Sequence, residues 1–276
     1  MKTLKRLAPY LLTAVVAFIV AIPFCIYPTT APRSQSQQFS IADQVTKIRP
    51  AVVHISKLGV CQGSGCLLTA DGIMFTARHV SDSTPGDYTV TLDDGTTYKT
   101  KYTIEDTEND VTFMQLDLRG HEPNLPYATL ASDSTLRVGD GVIIGGSPLG
   151  KGNFNTFSFG ILSATGRDLY NRPGWGMYKP YDWHVMLQTT SPAFPGSSGG
   201  PIFSMAGEVI GVLVAGQAET LSFGVPVTRF SATLPTVRQW FELCRFDVVG
   251  DSEPEPETGN NWETPESIPD IGHSFQ

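Results

Sequence analysis

Between residues 43 and 230 the sequence is a succession of short strand-like segments separated by turn signals, in two groups of six. The segments are 50–56, 63–69, 72–76, 87–92, 96–104 and 110–118, followed by 139–146, 156–164, 183–189, 200–204, 208–215 and 221–227. Segments of this length, with Gly-containing turns between them, are typical of antiparallel strands. An α/β fold would need helices between the strands, and no helical pattern lies there. The sequence therefore predicts an all-β protein with two six-stranded antiparallel barrels, closed by a C-terminal helix over 230–246.

The N-terminus has the features of a membrane anchor. Lys2, Lys5 and Arg6 precede the uncharged segment Leu7–Tyr27, and a helix of that length, at about 1.5 Å per residue, spans a hydrocarbon core of ~30 Å. The flanking positive charges stay in the cytoplasm, which sends the rest of the chain outward. The predicted segments are a cytoplasmic N-terminus at 1–6, a transmembrane signal anchor at 7–27 and a linker rich in Pro, Ser and Gln at 28–42.

The alternative for this segment is a cleaved signal peptide, because its most apolar part has the length of a signal sequence. The main domain, 43–246, lies outside the cytoplasm under both interpretations. It is tethered to the cell membrane under the first and secreted under the second.

The C-terminal segment 247–276 holds eight acidic residues and no Lys or Arg, which accounts for the whole formal net charge of −8. With so few apolar anchors it is expected to be disordered. An acidic docking segment is the alternative. No basic patch is visible elsewhere, so nucleic acid is not an expected partner.

The cysteines predict neither a metal site nor a cofactor. Beyond the apolar N-terminal segment the chain has Cys61, Cys66 and Cys244. Their spacing does not match a zinc site, and three cysteines leave the disulfide state open. We expect no metal and no cofactor.

The stretch SPAFPGSSGGPIF, residues 191–203, places two adjacent serines in a glycine run. His79 follows a predicted strand, and Asp110 begins a later one. A serine hydroxyl becomes a nucleophile when an imidazole takes its proton and a carboxylate holds the imidazole in the right tautomer. We therefore predict His79 as the base, Asp110 as its orienting carboxylate and Ser198 as the nucleophile. The N–H groups of Gly196 and Ser198 would stabilise the oxyanion.

The same residues also match the G-x-S-x-G nucleophile elbow of α/β-hydrolases, centred on Ser198. In that fold the Asp and the His follow the Ser, whereas the only histidine after Ser198 is His273. The segment after Pro201 also continues as a strand. We therefore reject the elbow, and we expect His54, His121 and His184 to be structural or on the surface.

Several blocks of sequence, in order, resemble trypsin-fold serine proteases, and most closely the HtrA/Deg branch. The blocks are RPAVVHI (49–55), GSGCLLTADGIMFTARHV (63–80), NDVTFMQLD (109–117), LRVGDGVIIGGSPLG (136–150), FGILSATGR (159–167), LQTTSPAFPGSSGGPIF (187–203), GEVIGV (207–212) and FGVPV (223–227). The resemblance covers about 43–230. It implies the same triad of His79, Asp110 and Ser198, with Gly196 and Ser198 as the oxyanion hole.

The resemblance also implies which residues bind substrate. It places Pro192, Ala193 and Phe194 at the primary pocket, and Val214, Ala215 and Gly216 on the strand that pairs with the substrate backbone. No acidic residue stands at the pocket, so a preference for Lys or Arg is not expected. We expect a small or medium aliphatic residue before the scissile bond.

The chain departs from the family at four places. Ser197 stands where the HtrA branch usually has Asn and digestive proteases have Asp, a side chain that steadies the loop. Arg78 beside the base is unusual. The long regulatory loop is absent, because the segment HISKLGVCQGSG is short. After the protease domain we expect the acidic tail rather than a PDZ domain. The family's trimer therefore does not carry over, and the oligomeric state stays open.

The function predicted from these residues is a membrane-tethered serine endopeptidase that acts on proteins or peptides outside the cytoplasm, in processing or quality control. The alternative is a catalytically inactive protein of the same fold that binds partners at the membrane.

Overall fold

In the residues that the structure describes, the first six strands close into one antiparallel barrel and the next six into a second. The strands of the first barrel are β1 (Val52–Lys57), β2 (Val60–Leu67), β3 (Ile73–Ala77), β4 (Tyr88–Thr91), β5 (Thr97–Asp106) and β6 (Val111–Leu116). Those of the second are β7 (Gly141–Gly146), β8 (Thr156–Arg167), β9 (Met186–Thr189), β10 (Pro201–Ser204), β11 (Val209–Ala218) and β12 (Leu221–Pro226). Around the barrels the strands follow the orders β1-β2-β3-β6-β5-β4 and β10-β11-β12-β9-β8-β7. The prediction of two six-stranded barrels is confirmed.

The structure is a computed structural model. It describes residues 40–81, 86–121, 123–132, 136–171, 181–218 and 220–247. The predicted anchor at 7–27 and the predicted disordered tail after residue 247 lie outside these ranges, as does the linker up to residue 39. Among the helices within them, none is both long enough and apolar enough to cross a membrane.

Two α-helices flank the barrels in the described part of the chain. Helix α1 (Ile41–Ile48) was not predicted, and it starts inside the segment assigned to the linker. Helix α2 (Leu234–Asp247) confirms the predicted C-terminal helix, with a 3-10 turn at Ser231–Thr233 before it. The Tyr102 hydroxyl on β5 donates to the carbonyl oxygen of Cys244 over 2.9 Å, which fixes α2 against the first barrel.

The barrel interiors are filled by fully buried aliphatic and aromatic side chains, and each contributes about 1.5–3 kcal/mol to the stability of the fold through the hydrophobic effect. The interior of the second barrel is formed by Val142, Ile144, Leu162, Leu187, Ile202, Ile210 and Leu213. The two barrels meet where β1 faces β7: a methyl group of Val52 lies 2.9 Å from the position that a Cβ on Gly145 would take. The loop before β10, in the second barrel, lies beside the middle of β2 and the end of β3 in the first, where Gly199 approaches Ser64 and Thr76.

The disulfide state that the sequence left open is resolved for two residues. Cys61 and Cys66 are free thiols. Burial raises the pKa of the Cys66 thiol far above its usual value, so this group stays protonated and inert.

Candidate active site

His79 and Asp110 lie at the same end of two paired strands. β3 and β6 pair antiparallel, with Ala77 opposite Val111. His79 belongs to a 3-10 turn, Arg78–Val80, that follows β3, and Asp110 immediately precedes β6. The register of this pair therefore places the two side chains together although they are 31 positions apart.

The Asp110 carboxylate holds His79 by two hydrogen bonds. His79 Nδ1 lies 2.8 Å from Oδ2 of Asp110, and the His79 backbone N–H donates to Oδ1 over 3.0 Å. Because a carboxylate oxygen accepts, the ring proton is assigned to Nδ1, which leaves Nε2 as the acceptor. Asp110 itself has a φ of +56°, in the left-handed region, where Asp is among the better tolerated residues.

The environment of this pair is asymmetric. Asp110 is fully buried, whereas the His79 side chain is 30% exposed. Burial raises the pKa of the Asp110 carboxyl above its usual value, against the opposing effect of the bonds from His79. The neighbouring guanidinium of Arg78 is turned toward Glu105, with Nε 2.9 Å from Oε2. The charge of Arg78 is therefore paired with a carboxylate rather than left beside the imidazole.

The glycines around Ser198 are required by close contacts. Gly196 and Gly199 have φ values of +93° and +81°, in the region that favours glycine. A Cβ on Gly199 would collide with the Thr76 hydroxyl and the Ser64 carbonyl oxygen. The loop before β10 therefore packs directly on β2 and β3, which a residue with a side chain would prevent.

The same packing brings Ser198 next to the turn that carries His79. A Cβ on Gly63 would lie 2.6 Å from Val80 Cγ2 and 2.7 Å from the Ser198 carbonyl oxygen, so both residues flank Gly63. Among the hydrogen bonds of the described residues, none joins the Ser198 hydroxyl to the His79 ring. Such bonds are often long before substrate binds.

We call the loop between β9 and β10, residues 190–200, the serine loop. Two of its backbone N–H groups are free to bind an anion. Neither the N–H of Gly196 nor that of Ser198 has an acceptor among the described residues. The Pro195 carbonyl oxygen accepts from the Leu149 N–H over 2.7 Å. In a trans peptide the N–H points away from the carbonyl, so this bond turns the Gly196 N–H to the opposite side.

The six residues predicted to bind substrate come together beside this loop. Pro192 and Phe194 are exposed, and Ala193 packs on the interior of the second barrel. A Cβ on Gly216 would lie 3.4 Å from the Ala193 carbonyl oxygen. β10 pairs with β11 only as far as Val212. In the described part of the chain, the same edge of β11 has no strand partner at Val214, Ala215 and Gly216, so an extended peptide could add there.

The sequence did not predict the polar network of Asn109, Asp182 and Arg229 that lies next to Asp110. Arg229 donates to Asp182 Oδ2 over 2.6 Å and to Asn109 Oδ1 over 2.9 Å, which ties the residue before Asp110 to the second barrel. The sequence also did not predict that Ser64 contacts the serine loop. Partners this far apart in the chain leave no local pattern, although the glycines on both sides of Ser64 indicated a crowded position.

None of the other histidines in the described residues is hydrogen-bonded to Ser198, although His54 on β1 stands opposite Ser64 on β2. His54 is buried on β1, with its ring 6.1 Å from that of Phe154. His121 is exposed beside Tyr98, and His184 Nδ1 lies 3.2 Å from Asp168. Among the described residues, no group of three or more His, Cys, Asp or Glu side chains could hold a metal ion.

The sequence of residues 63–212 matches the family model described as "Trypsin-like peptidase domain". The chain belongs to this family. The matched residues include His79, Asp110 and Ser198, and they run from β2 of the first barrel to β11 of the second.

The relatives of this trypsin-like peptidase are proteins of the HtrA/Deg type, which confirms the predicted resemblance. It is 35% identical over 173 residues to a "Probable periplasmic serine endoprotease DegP-like" of Rhizobium meliloti, covering 60% of this chain and 31% of that one. It is 32% identical over 233 residues to "Putative protease Do-like 14" of Arabidopsis thaliana, covering 76% and 52%. The chain thus spans 31% of the length of the first relative and 52% of the length of the second.

The fold of this trypsin-like peptidase is also similar to solved structures. The "HtrA-type protease AlgW with tripeptide" superimposes with a TM-score of 0.60 at 27% identity, covering 72% of this chain and 63% of that one.

Proposed function

We propose that this protein is a serine endopeptidase that hydrolyses peptide bonds through His79, Asp110 and Ser198. The observation that carries the proposal is the 2.8 Å contact between His79 Nδ1 and Asp110 Oδ2, beside a loop with two free N–H donors. This arrangement contains a base, a group that orients it, a hydroxyl and an anion site.

In the proposed reaction, His79 Nε2 takes the proton of the Ser198 hydroxyl as the oxygen attacks the scissile carbonyl. The negative charge that develops on the carbonyl oxygen is stabilised by the N–H groups of Gly196 and Ser198. The imidazolium then protonates the leaving amine, and the acyl group stays on Ser198. A water molecule repeats the attack with the same base, which releases the acid and restores Ser198. Asp110 holds the tautomer and stabilises the imidazolium throughout.

The relatives support this proposal. Those named above are called serine endoprotease and protease, and the AlgW structure contains a tripeptide. We infer protein or peptide substrates for this chain from the same names and from the unpaired edge of β11.

A serine-reactive fluorophosphonate probe tests the function directly. Purified native protein should be labelled, and mass spectrometry of the modified peptide should place the adduct on Ser198. Folded protein that never labels would instead favour the inactive binding protein as its function.

The residue before the scissile bond is expected to be small or medium and aliphatic. Pro192, Ala193 and Phe194 offer apolar surface and no carboxylate to pair with a basic side chain. Digestion of a peptide library, read by mass spectrometry, should give cleavage mainly after residues such as Ala or Val. Cleavage mainly after Lys or Arg would overturn this specificity.

We further propose that residues 7–27 anchor the protein in the membrane, with 1–6 in the cytoplasm, a linker at 28–42 and the protease domain, 43–246, outside. The Rhizobium relative is named as periplasmic, which agrees with an extracytoplasmic domain. After expression of the full chain in a bacterium, the protein should resist extraction from membranes by alkaline carbonate. A soluble protein whose N-terminus lies beyond residue 27 would establish cleavage and secretion instead.

A further inference from the structure

Ser64, on a strand of the first barrel, forms hydrogen bonds to residues of the second barrel. It is fully buried on β2, between Gly63 and Gly65. Its hydroxyl oxygen lies 2.7 Å from the Gly196 carbonyl oxygen and 2.9 Å from the Ser147 nitrogen. One side chain of the first barrel thus contacts both the serine loop and the segment that follows β7.

The direction of these two bonds is fixed by the partners. The Ser147 N–H can only donate, so the Ser64 oxygen accepts from it. The Gly196 carbonyl can only accept, so the single hydroxyl proton of Ser64 is directed to it. The hydroxyl therefore has one orientation that satisfies both neighbours, and in a fully buried site the loss of either bond leaves a polar group unpaired.

The backbone of Ser64 adds a third contact to the same loop. Its N–H donates to the Ser198 carbonyl oxygen over 2.8 Å. The four carbonyls from Pro195 to Ser198 consequently all have donors. These donors are the Leu149 N–H for Pro195, the Ser64 hydroxyl for Gly196, the Gly200 N–H for Ser197 and the Ser64 N–H for Ser198. Ser64 supplies two of the four, from the opposite barrel.

The bond to the Gly196 carbonyl matters because of where that peptide lies. It joins Gly196 to Ser197, between the two peptides whose N–H groups would bind the oxyanion. Glycine at a φ of +93° has the widest choice of backbone conformations, so rotation of this peptide must be limited by its bonds. Its N–H donates to the Phe194 carbonyl oxygen over 2.9 Å, and its carbonyl accepts from the Ser64 hydroxyl. A donor that holds its carbonyl limits that rotation and fixes the direction of the Gly196 N–H relative to the Ser198 N–H.

We propose that Ser64 is a positioning residue that sets the two oxyanion donors, Gly196 and Ser198, for catalysis. This inference rests on the proposed endopeptidase function. It also gives the loop a source of rigidity that Ser197 cannot supply, since a neutral Ser197 side chain forms no ion pair. The rigidity comes from the neighbouring barrel.

Ser64→Ala tests the proposal, because it removes the hydroxyl and keeps the backbone contact. We expect kcat for a peptide substrate to fall roughly 10- to 100-fold, with KM within about threefold of the original, because a misaimed donor weakens binding of the transition state alone. A peptide boronic acid, which forms a tetrahedral adduct with Ser198, should lose affinity by a similar factor. Ser64→Cys, which keeps the shape and has a weaker donor, should give an intermediate kcat.

Ser163→Ala is the matched control. The Ser163 hydroxyl also donates to a carbonyl, that of Gln188 over 3.1 Å, and accepts from the Gln188 side-chain nitrogen over 3.0 Å. These bonds lie between β8 and β9, away from the serine loop. Because Ser163 is only part-buried, the control should lose less thermal stability than Ser64→Ala, and it should keep its kcat. Unchanged kcat in Ser64→Ala, or an equal loss in Ser163→Ala, would overturn the proposal.

A measurement without turnover separates the two proposals. In Ser64→Ala, amide exchange measured by NMR should accelerate at Ser147, and the amide signals of Gly196 and Ser198 should shift, with neither change in Ser163→Ala. If these changes occur in a chain that hydrolyses nothing, the contact is established and the endopeptidase function fails. If the signals do not change, the positioning role fails whatever the activity. Should Ser64→Ala not fold, Ser64→Cys carries the same readouts.

Discussion

Ser198→Ala is expected to lower kcat for a peptide substrate by about 10⁵- to 10⁶-fold, the loss typical when a nucleophile of this kind is removed. Without the hydroxyl no acyl intermediate forms, and only the oxyanion donors and substrate binding remain. The measurement is hydrolysis of a fluorogenic peptide chosen from the library digest, together with labelling by the fluorophosphonate. Both should vanish while circular dichroism and the melting temperature stay close to those of the original protein.

Ser197→Ala is the matched control, because it removes the neighbouring hydroxyl of the same loop. Ser197 is buried. The carbonyl oxygen that approaches Gly63 next to Val80 belongs to Ser198 and not to Ser197. Labelling should persist in this variant. If Ser197→Ala abolishes labelling and Ser198→Ala does not, the nucleophile is Ser197 and the proposed triad is refuted.

Asp110→Asn is expected to lower kcat/KM by about 10⁴-fold, because the amide changes the tautomer of the base. The carboxylate accepts the proton of His79 Nδ1 over 2.8 Å. An Asn side chain can turn its N–H₂ to Nδ1, which moves the ring proton to Nε2, and Nε2 then cannot take the proton of Ser198. The measurement is kcat/KM for the same peptide as a function of pH.

The same variant should keep or gain thermal stability at neutral pH. Burial raises the pKa of Asp110 in the folded protein, so the folded state binds this proton more tightly than the unfolded state. The stability that this group contributes is therefore fully present below its unfolded pKa and is lost as the pH rises through the folded pKa. At neutral pH the buried carboxylate is a cost that a neutral Asn avoids, and Asn also tolerates the φ of +56°.

Asp182→Asn gives the opposite pattern and serves as the control. Burial raises the pKa of Asp182, but the bonds from Arg229 outweigh it and the net shift is downward. This carboxylate contributes stability above its unfolded pKa, which is lost as the pH falls through the folded value. The variant should melt at a lower temperature at neutral pH and lose far less kcat than Asp110→Asn. A large drop in the melting temperature of Asp110→Asn would contradict the account of its burial.

The barrels could be predicted because each strand is bounded locally, by turn residues such as those at Gly72 and Gly95, whose φ values are positive. Helix α1 could not be predicted, because its eight residues are too few to form a stable helix alone. What stabilises it is distant in sequence: the Ile48 side chain lies 3.1 Å from the position of a Cβ on Gly207.

The sequence by itself determined the residue types of the site and their order. His79, Asp110 and Ser198 stand at strand ends within glycine-rich or turn-forming stretches, and local pattern carries that information. Only the tertiary structure decided how the serine loop is held. The Ser64 hydroxyl reaches the Gly196 carbonyl across 132 positions of chain, and a hydrogen bond depends on distance and angle in space, which short-range sequence patterns do not encode.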